Sequence, residues 1–302
     1  MNSILITGAS GFIGSRLLNY LGDYNVTALT RRHQVDYRNI CWKQFDLNEL
    51  ANGIQITGNF QTIIHLAANV HGNEHFEYDQ VNNNLTLLLA ESLAAQGMRR
   101  FIFISSIGVL GSCTKDNETF NELSPTNPQN PYTISKLEAE KGLISLANKL
   151  NFELVIIRPP LVYGKNAPGN FRKLIRMTKM NLPLPFGMIN NSRSYISVDN
   201  LASFISLCII HPKAANEVFL IADDGFLSTK ELLINLRTSL GLKFFLVPIP
   251  RSVLNFSFLL LGMRGLSVQL LNNLQVDNSK AKELLGWKPI ETMKESLNEH
   301  NK

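Results

Sequence analysis

Apolar residues in the first half of the chain come in short unbroken runs: "SILIT" from Ser3, "NVTALT" from Asn25, "TIIHLAA" from Thr62, "RFIFISS" from Arg100 and "FELVIIRPP" from Phe152. A run that does not alternate with polar residues predicts a strand covered on both faces. Between the runs lie stretches with helical spacing, notably Val81 to Gln96 and Tyr132 to Lys149. Strands alternating with helices predict a parallel sheet with right-handed crossovers, an α/β doubly wound fold.

The pattern loosens after "RPPLVYG". "PGNFRKLIRMTKM" predicts a basic helix, "NLPLPFG" a segment broken by Pro and Gly, "RSYISVDNLASFISLCII" a strand entering a helix, and "EVFLIA" a further strand. Ser228 with Glu231 three residues on predicts a capped helix start, and "DNSKAKELLGWKP" a short helix stopped by Gly286 and Pro289. The expected organisation is one domain over 1–163, to which 194–225 return, and a smaller C-terminal lobe built from 164–193 and 226–302. "SVLNFSFLLLGM" is the most apolar late stretch; it is too short to span a bilayer and predicts a buried or interfacial helix.

Composition changes this picture little. The 302 residues are 45% apolar and 18% charged, which fits a folded globular chain and not disorder. The net charge of +5 is spread without a block of like charges, so no nucleic-acid partner is expected. Three cysteines lie far apart with no Cys/His cluster, which argues against a disulfide framework and against a metal site. A strand beginning at Ser3 leaves no room for a signal peptide, and a cytoplasmic protein without a membrane span is expected.

"TGASGFIG", Thr7 to Gly14, falls between the first strand and the first helix. Gly8 suits a positive φ in the turn, Gly11 lets a ligand approach the backbone, and Gly14 lets the helix pack closely. The helix start offers N–H groups and a positive dipole end to a pyrophosphate. The expected occupant is a dinucleotide, and the first domain is its binding domain. "PYTISK" places Tyr132 and Lys136 on one helix face. A neighbouring ammonium favours the phenolate, so Tyr132 is expected to titrate below its usual value and to exchange a proton with a carbinol oxygen. Ser105 and Ser106 stand at the end of a strand, where doubly wound sheets bind ligands.

In this order, the motifs resemble the extended short-chain dehydrogenase/reductase superfamily, and within it the NAD(P)-dependent nucleotide-sugar epimerase/reductase family. The resemblance covers residue 3 to about 298. It implies a Rossmann sheet with a substrate-binding lobe, and Ser106, Tyr132 and Lys136 as the catalytic set. Ser106 would hydrogen-bond the substrate oxygen, while Lys136 would tune Tyr132 and hold the cofactor ribose. Further cofactor contacts are implied at Gly8, Gly11, Phe12, Ile13 and Gly14, at Thr30 and Arg31, and at Asp46 and Leu47. Others are Leu66, Ala67 and Ala68 in "HLAA", Asn82 in "VNNN" and Pro159. For a UDP-sugar the resemblance implies Leu184 and Phe186 against the uracil and Arg193 on the diphosphate. Phe186 as plain lobe core is the other reading. Leu161 replaces an asparagine usual in epimerase-type relatives, and Asn170 is the expected substitute.

Two positions narrow the class. Dehydratases of this family carry Asp-Glu directly after the catalytic Ser/Thr; here Ile107 and Gly108 stand there, so dehydration is not expected. The second strand ends in "ALTRRHQ", with no carboxylate to bind a ribose diol and with Arg31 able to grip a 2′-phosphate. NADP(H) is therefore the expected cofactor, with NAD(H) as the alternative. The leading expectation is an NADPH-dependent reductase of a UDP-4-keto-6-deoxy-hexosamine in bacterial polysaccharide biosynthesis. The second is a UDP-hexose or UDP-N-acetylhexosamine 4-epimerase, and the outsider a non-enzymatic NADP-sensing protein. The family pattern also implies a homodimer through Val81–Gln96 and Tyr132–Lys149.

Overall fold

The apolar runs form one parallel sheet in a computed structural model that describes residues 3–70, 75–180, 182–243 and 245–299. Its strands are β1 (Ser3–Thr7), β2 (Asn25–Thr30), β3 (Ile40–Gln44), β4 (Thr62–His65), β5 (Arg100–Ile104) and β6 (Glu153–Arg158). A two-stranded sheet, β7 (Leu161–Tyr163) and β8 (Tyr195–Ser197), stands apart, and β9 (Glu217–Leu220) closes the main one. The main order is β3-β2-β1-β4-β5-β6-β9, parallel throughout. The expected doubly wound α/β fold is borne out. The winding reverses between β1 and β4, and a crevice opens at such a reversal beyond the strands' carboxyl ends.

β3 is absent from the strands read off the sequence. None of its five residues is buried, because it lies at the sheet edge, so it offers no apolar run.

Successive residues along each strand face opposite layers. On one face Ile4, Ile6, Ile64, Ile102 and Val155 pack against α1 (Phe12–Leu17) and a later helix through Leu17, Leu201 and Phe204. On the other, Leu5, Ile63, Phe101 and Phe103 meet α2 (Leu85–Ala94) and α3 (Pro131–Leu150) through Leu89, Leu93, Ala139 and Leu143. Helix α2 continues the helix His75–Asp79 through a widened π-type turn over Gln80–Asn84. The start of α3 is fixed by Asn130, whose side chain accepts from the Thr133 N–H while the Thr133 hydroxyl accepts from the Asn130 N–H, with Pro131 in the first turn.

The remaining principal helices are α4 (Gly169–Lys179), α5 (Val198–Ile210), α6 (Thr229–Ser239), α7 (Arg251–Leu260) and α8 (Arg264–Leu271). The expected Ser228–Glu231 box caps α6 in both directions. A separate apolar cluster gathers Phe171 and Leu174 of α4, Leu233 of α6, Leu254 of α7 and Leu271 of α8 around Tyr163, Leu184, Phe186 and Tyr195. Within α7 only Leu254 is buried.

Candidate active site

The turn after β1 has the form its glycines require. Gly8 has φ +69°, and a Cβ there would lie 2.8 Å from the Ala67 nitrogen, so the turn rests on the backbone that follows β4. A Cβ on Gly14 would meet the Gly8 carbonyl oxygen at 2.3 Å; this glycine seats the helix on the turn itself. Gly11 is exposed at the N-cap of α1, where no side chain caps the helix start and no acidic residue stands in the first turn. An exposed, uncapped start without side-chain bulk fits the diphosphate of a dinucleotide. Phe12 packs toward the lobe cluster and Ile13 toward the sheet.

Leu66, Ala67 and Ala68 are half-buried beside this turn. The ring of His65, buried between them and the sheet, shares hydrogen bonds with Thr7 Oγ1 (2.8 Å) and Thr86 Oγ1 (3.0 Å). Burial pushes its pKa down to about 3, so it is a neutral staple between β1, β4 and α2. Asn82 is fully buried. Its amide accepts from the Asn69 N–H (2.7 Å) and donates to the Asn69 carbonyl and to Ser135 Oγ. The expectation that Asn82 reaches the cofactor is corrected: its side chain holds the loop after β4 against α3.

At the outer side of the crevice, Thr30 Oγ1 accepts from the Arg32 N–H and donates to the Arg32 carbonyl. Arg31 and Arg32 are exposed, and neither pairs with a carboxylate among the described residues. Asp46 is half-buried and accepts from the Asn48 N–H and side chain, and Leu47 packs on the second core layer.

The catalytic candidates converge at the ends of β5 and β6 and the start of α3. Ser106 begins a short turn in which its Oγ accepts from the Gly108 N–H (3.1 Å), and the Ile107 N–H donates to the Pro159 carbonyl (2.9 Å). Pro159 is therefore a buried partner of that turn. Neighbouring Ser105 is buried, and its hydroxyl has no protein partner. A Cβ on Gly108 would lie 2.5 Å from Thr133 Cγ2, so the turn carrying Ser106 sits directly on the first turn of α3, which carries Tyr132. Thr133 is β-branched and hydrogen-bonded and cannot swing aside. Gly108→Ala is therefore expected to shift the Ser106 turn from Tyr132 and to lower turnover by about 10²-fold, the cost of a misplacement near 1 Å. Turnover measured beside cofactor binding checks this; wild-type turnover would remove the contact from the site's design.

Lys136 is 2% exposed, its ammonium donates to the Ile104 carbonyl (2.7 Å), and it lies 4.4 Å from the centroid of the Phe103 ring. Tyr132 is half-buried, with Tyr78 packed edge-on at 6.2 Å. Here one expectation is reversed. Burial pushes the Tyr132 phenol up to about 12, not down, and pushes Lys136 down to about 7, against the pull of Glu140. Both charged forms lose solvation, and for Lys136 this outweighs the attraction of Glu140. Tyr132 thus holds its proton at neutral pH.

The sequence reading overlooked Glu140 and Arg158. Glu140 follows Lys136 by one turn on the same face of α3 and is 1% exposed. Arg158 closes a bidentate pair on it, Nε–Oε1 3.0 Å and Nη2–Oε2 2.5 Å. The spacing of 132, 136 and 140 along one face was the available signal.

The lobe contacts fare differently. Leu184 and Phe186 are 5% and 2% exposed, in the lobe core, and Leu184 also exchanges backbone hydrogen bonds with the 245–247 segment. The expectation that they face a uracil ring is corrected: alternate residues of this segment point inward, and these two do. Arg193 is 8% exposed, and its Nη1 donates to the carbonyls of Val268 and Asn272 at the end of α8. Burial lowers its pKa. It anchors α8, and that edge of its guanidinium is engaged. Asn170 falls in the first turn of α4, with its side chain outside the described residues.

The model of the NAD dependent epimerase/dehydratase family matches residues 4–222. UDP-glucose 4-epimerase of Vibrio cholerae is 37% identical over 305 residues, covering 98% of this chain and 93% of that protein. N-acetyl-alpha-D-glucosaminyl-diphospho-ditrans,octacis-undecaprenol 4-epimerase of Escherichia coli O157:H7 is 30% identical over 252 residues, covering 80% and 73%. Among solved structures, RMD from Pseudomonas aeruginosa complexed with NADPH superposes with a TM-score of 0.76 at 24% identity, covering 100% of this chain and 98% of that one.

Proposed function

The chain belongs to the NAD dependent epimerase/dehydratase family, and on that footing we propose that it is a 4-epimerase of a UDP-hexose or UDP-N-acetylhexosamine. At the coarser level it is an NAD(P)-dependent enzyme of the nucleotide-sugar epimerase/dehydratase class. The observation that carries the finer reading is the 37% identity to a UDP-glucose 4-epimerase along nearly the whole of both chains. It supports epimerisation over 4-keto reduction, the reverse of the order expected from the sequence alone.

NAD(P), when bound, supplies hydride acceptance and return at C4. The glycine turn and the uncapped start of α1 bind its diphosphate. Ser106 orients the C4 oxygen. As the phenolate, the form that burial disfavours at neutral pH, Tyr132 takes the proton from that oxygen on oxidation; as the phenol it gives the proton back on reduction, and Lys136 biases that proton's position. The Glu140–Arg158 pair fixes the charge beneath Lys136. With Ile107 buried and Gly108 pressed on Thr133, no carboxylate stands where water loss would need one.

The 4-ketoreductase is the second reading, favoured by Arg31 and Arg32, which follow β2 exposed and without a carboxylate partner among the described residues. Arg31→Ala is expected to weaken NADPH binding by roughly the 1.5–3 kcal/mol of a charged hydrogen bond and to leave NADH binding nearly unchanged. Equal losses would return the cofactor assignment to NAD(H).

Incubation with UDP-glucose or UDP-N-acetylglucosamine, without added reductant, tests the main reading. The C4 epimer is the expected product. Turnover only of a 4-keto sugar with NADPH would establish the reductase, and turnover only of a polyprenyl-diphosphate sugar would overturn the uridine assignment. We place the reaction in bacterial polysaccharide precursor synthesis and in the cytoplasm, a reading the unpaired Cys41, Cys113 and Cys208 support. A homodimer through α2 and α3 belongs to the same proposal; Leu88 and Ile144 on those helices are 40% and 46% exposed.

A further inference from the structure

Helix α7 is apolar on the side away from the lobe. At 100° per residue, Leu254 and Phe258 define its inward side, and the opposite side is centred on Phe256, flanked by Val253, Leu259 and Leu260. These four are 51–71% exposed, and the turn that follows adds Leu261 at 70% and Met263 at 43%. A surface helix ordinarily turns polar residues outward, and a contiguous apolar face of this kind marks an interaction surface.

The chain segments that build this part of the lobe are one-sided in charge. From Leu232 to Val276 the chain has no Asp or Glu, and its cations are Arg237, Lys243, Arg251 and Arg264. From Leu154 to Val198 it again has no Asp or Glu, and α4 presents Arg172, Lys173, Arg176 and Lys179, all exposed. The two segments adjoin in the lobe. Arg237, fully buried, donates to the carbonyls of both Leu182 and Lys243, and Leu184 pairs with the strand-like segment that leads into α7. Lys243, Arg264 and the four cations of α4 pair with no carboxylate among the described residues. Of the eleven Lys and Arg in the two segments, Arg158, Arg193 and Arg237 are buried and the other eight are exposed.

We propose that the outward face of α7 docks on an anionic lipid bilayer, with Phe256, Val253, Leu259 and Leu260 entering the headgroup boundary and the exposed Lys243 and Arg264 on either side of the helix in sequence facing lipid phosphates. An apolar stripe with basic flanks on a helix too short to span is the form of an interfacial anchor. No helix among the described residues is long and apolar enough to cross a membrane, so the protein lies on the surface and does not traverse it. The inference is independent of the sugar acted upon.

Flotation of the full chain with lipid vesicles tests it. The wild type is expected to float with phosphatidylcholine vesicles containing about a third phosphatidylglycerol, and to stay behind with phosphatidylcholine alone. Phe256→Ser with Leu260→Ser should lower the vesicle-bound fraction at least about tenfold. Lys243→Gln with Arg264→Gln should weaken binding about fivefold per charge and flatten its salt dependence. Both variants alter exposed side chains, so an unchanged melting point and unchanged NAD(P) binding confirm the fold and separate this result from the catalytic one. Three outcomes overturn the proposal: a wild type that never floats, a serine variant that floats equally well, or a wild-type oligomer that the serine variant breaks while neither floats.

Discussion

Tyr132→Phe is expected to cut turnover by ~10²–10⁴-fold while NAD(P) binding and the melting point stay close to wild type. The substitution keeps the ring, and with it the edge-on contact to Tyr78. It removes only the O–H. With the phenol held up at about 12 by burial, that O–H is the proton the site can deliver to a C4 oxygen at neutral pH. Withdrawal of a proton by the same group becomes easier as pH rises, so wild-type activity in the oxidising direction should climb with alkalinity and the Phe variant should lose that slope. A Phe variant with wild-type turnover on its true substrate would remove Tyr132 from the chemistry.

Lys136→Met should go further if Lys136 has both roles proposed for it, tuning the phenol and holding the cofactor ribose. Activity should fall by at least the same ~10²–10⁴-fold. Folding should respond the other way. The buried ammonium is held down at about 7 against an ordinary 10.5, so between those values the unfolded chain binds more protons, and wild-type stability from this group rises with pH. Below about 7 the native state carries a buried charge. Lys136→Met is therefore expected to melt higher than wild type at pH 6, with the difference shrinking by pH 9. Thermal melts at the two pH values, beside cofactor titrations, check this. A variant destabilised equally at both would mean that Lys136 is a structural tie to the Ile104 carbonyl.

What could be read from the sequence follows the physics of each element. Runs such as "RFIFI" and "ELVII" face two helix layers, which is why they show no polar alternation. The glycine turn, the capped start of α3 and the Ser228–Glu231 box are local, and their residues sit where the chemistry of turns and caps puts them. β3 was invisible because an edge strand owes its place to β2, not to its own burial. Leu184 and Phe186 were misplaced for a related reason: a two-residue alternation tells which residues share a side, and tertiary packing decides which side is the core. The pKa order of Tyr132 and Lys136 depended on burial of both groups, which spacing on a helix does not reveal. Glu140 could have been found on that spacing; its partner Arg158, distant in sequence, could not.

The widened turn at Gln80–Asn84 gives the helix before α2 and α2 itself two different phases. One residue more than a regular winding needs offsets everything upstream by about 100° from everything downstream. The downstream phase is set by Leu85, Leu89 and Leu93 on the sheet, and within the turn Asn82 is held on Asn69. Loss of a single residue here would restore an ordinary helix and rotate Asn82 off the loop that borders the glycine turn, with the core contacts untouched. The residue count of this segment is thus as much a part of the site as any side chain in it.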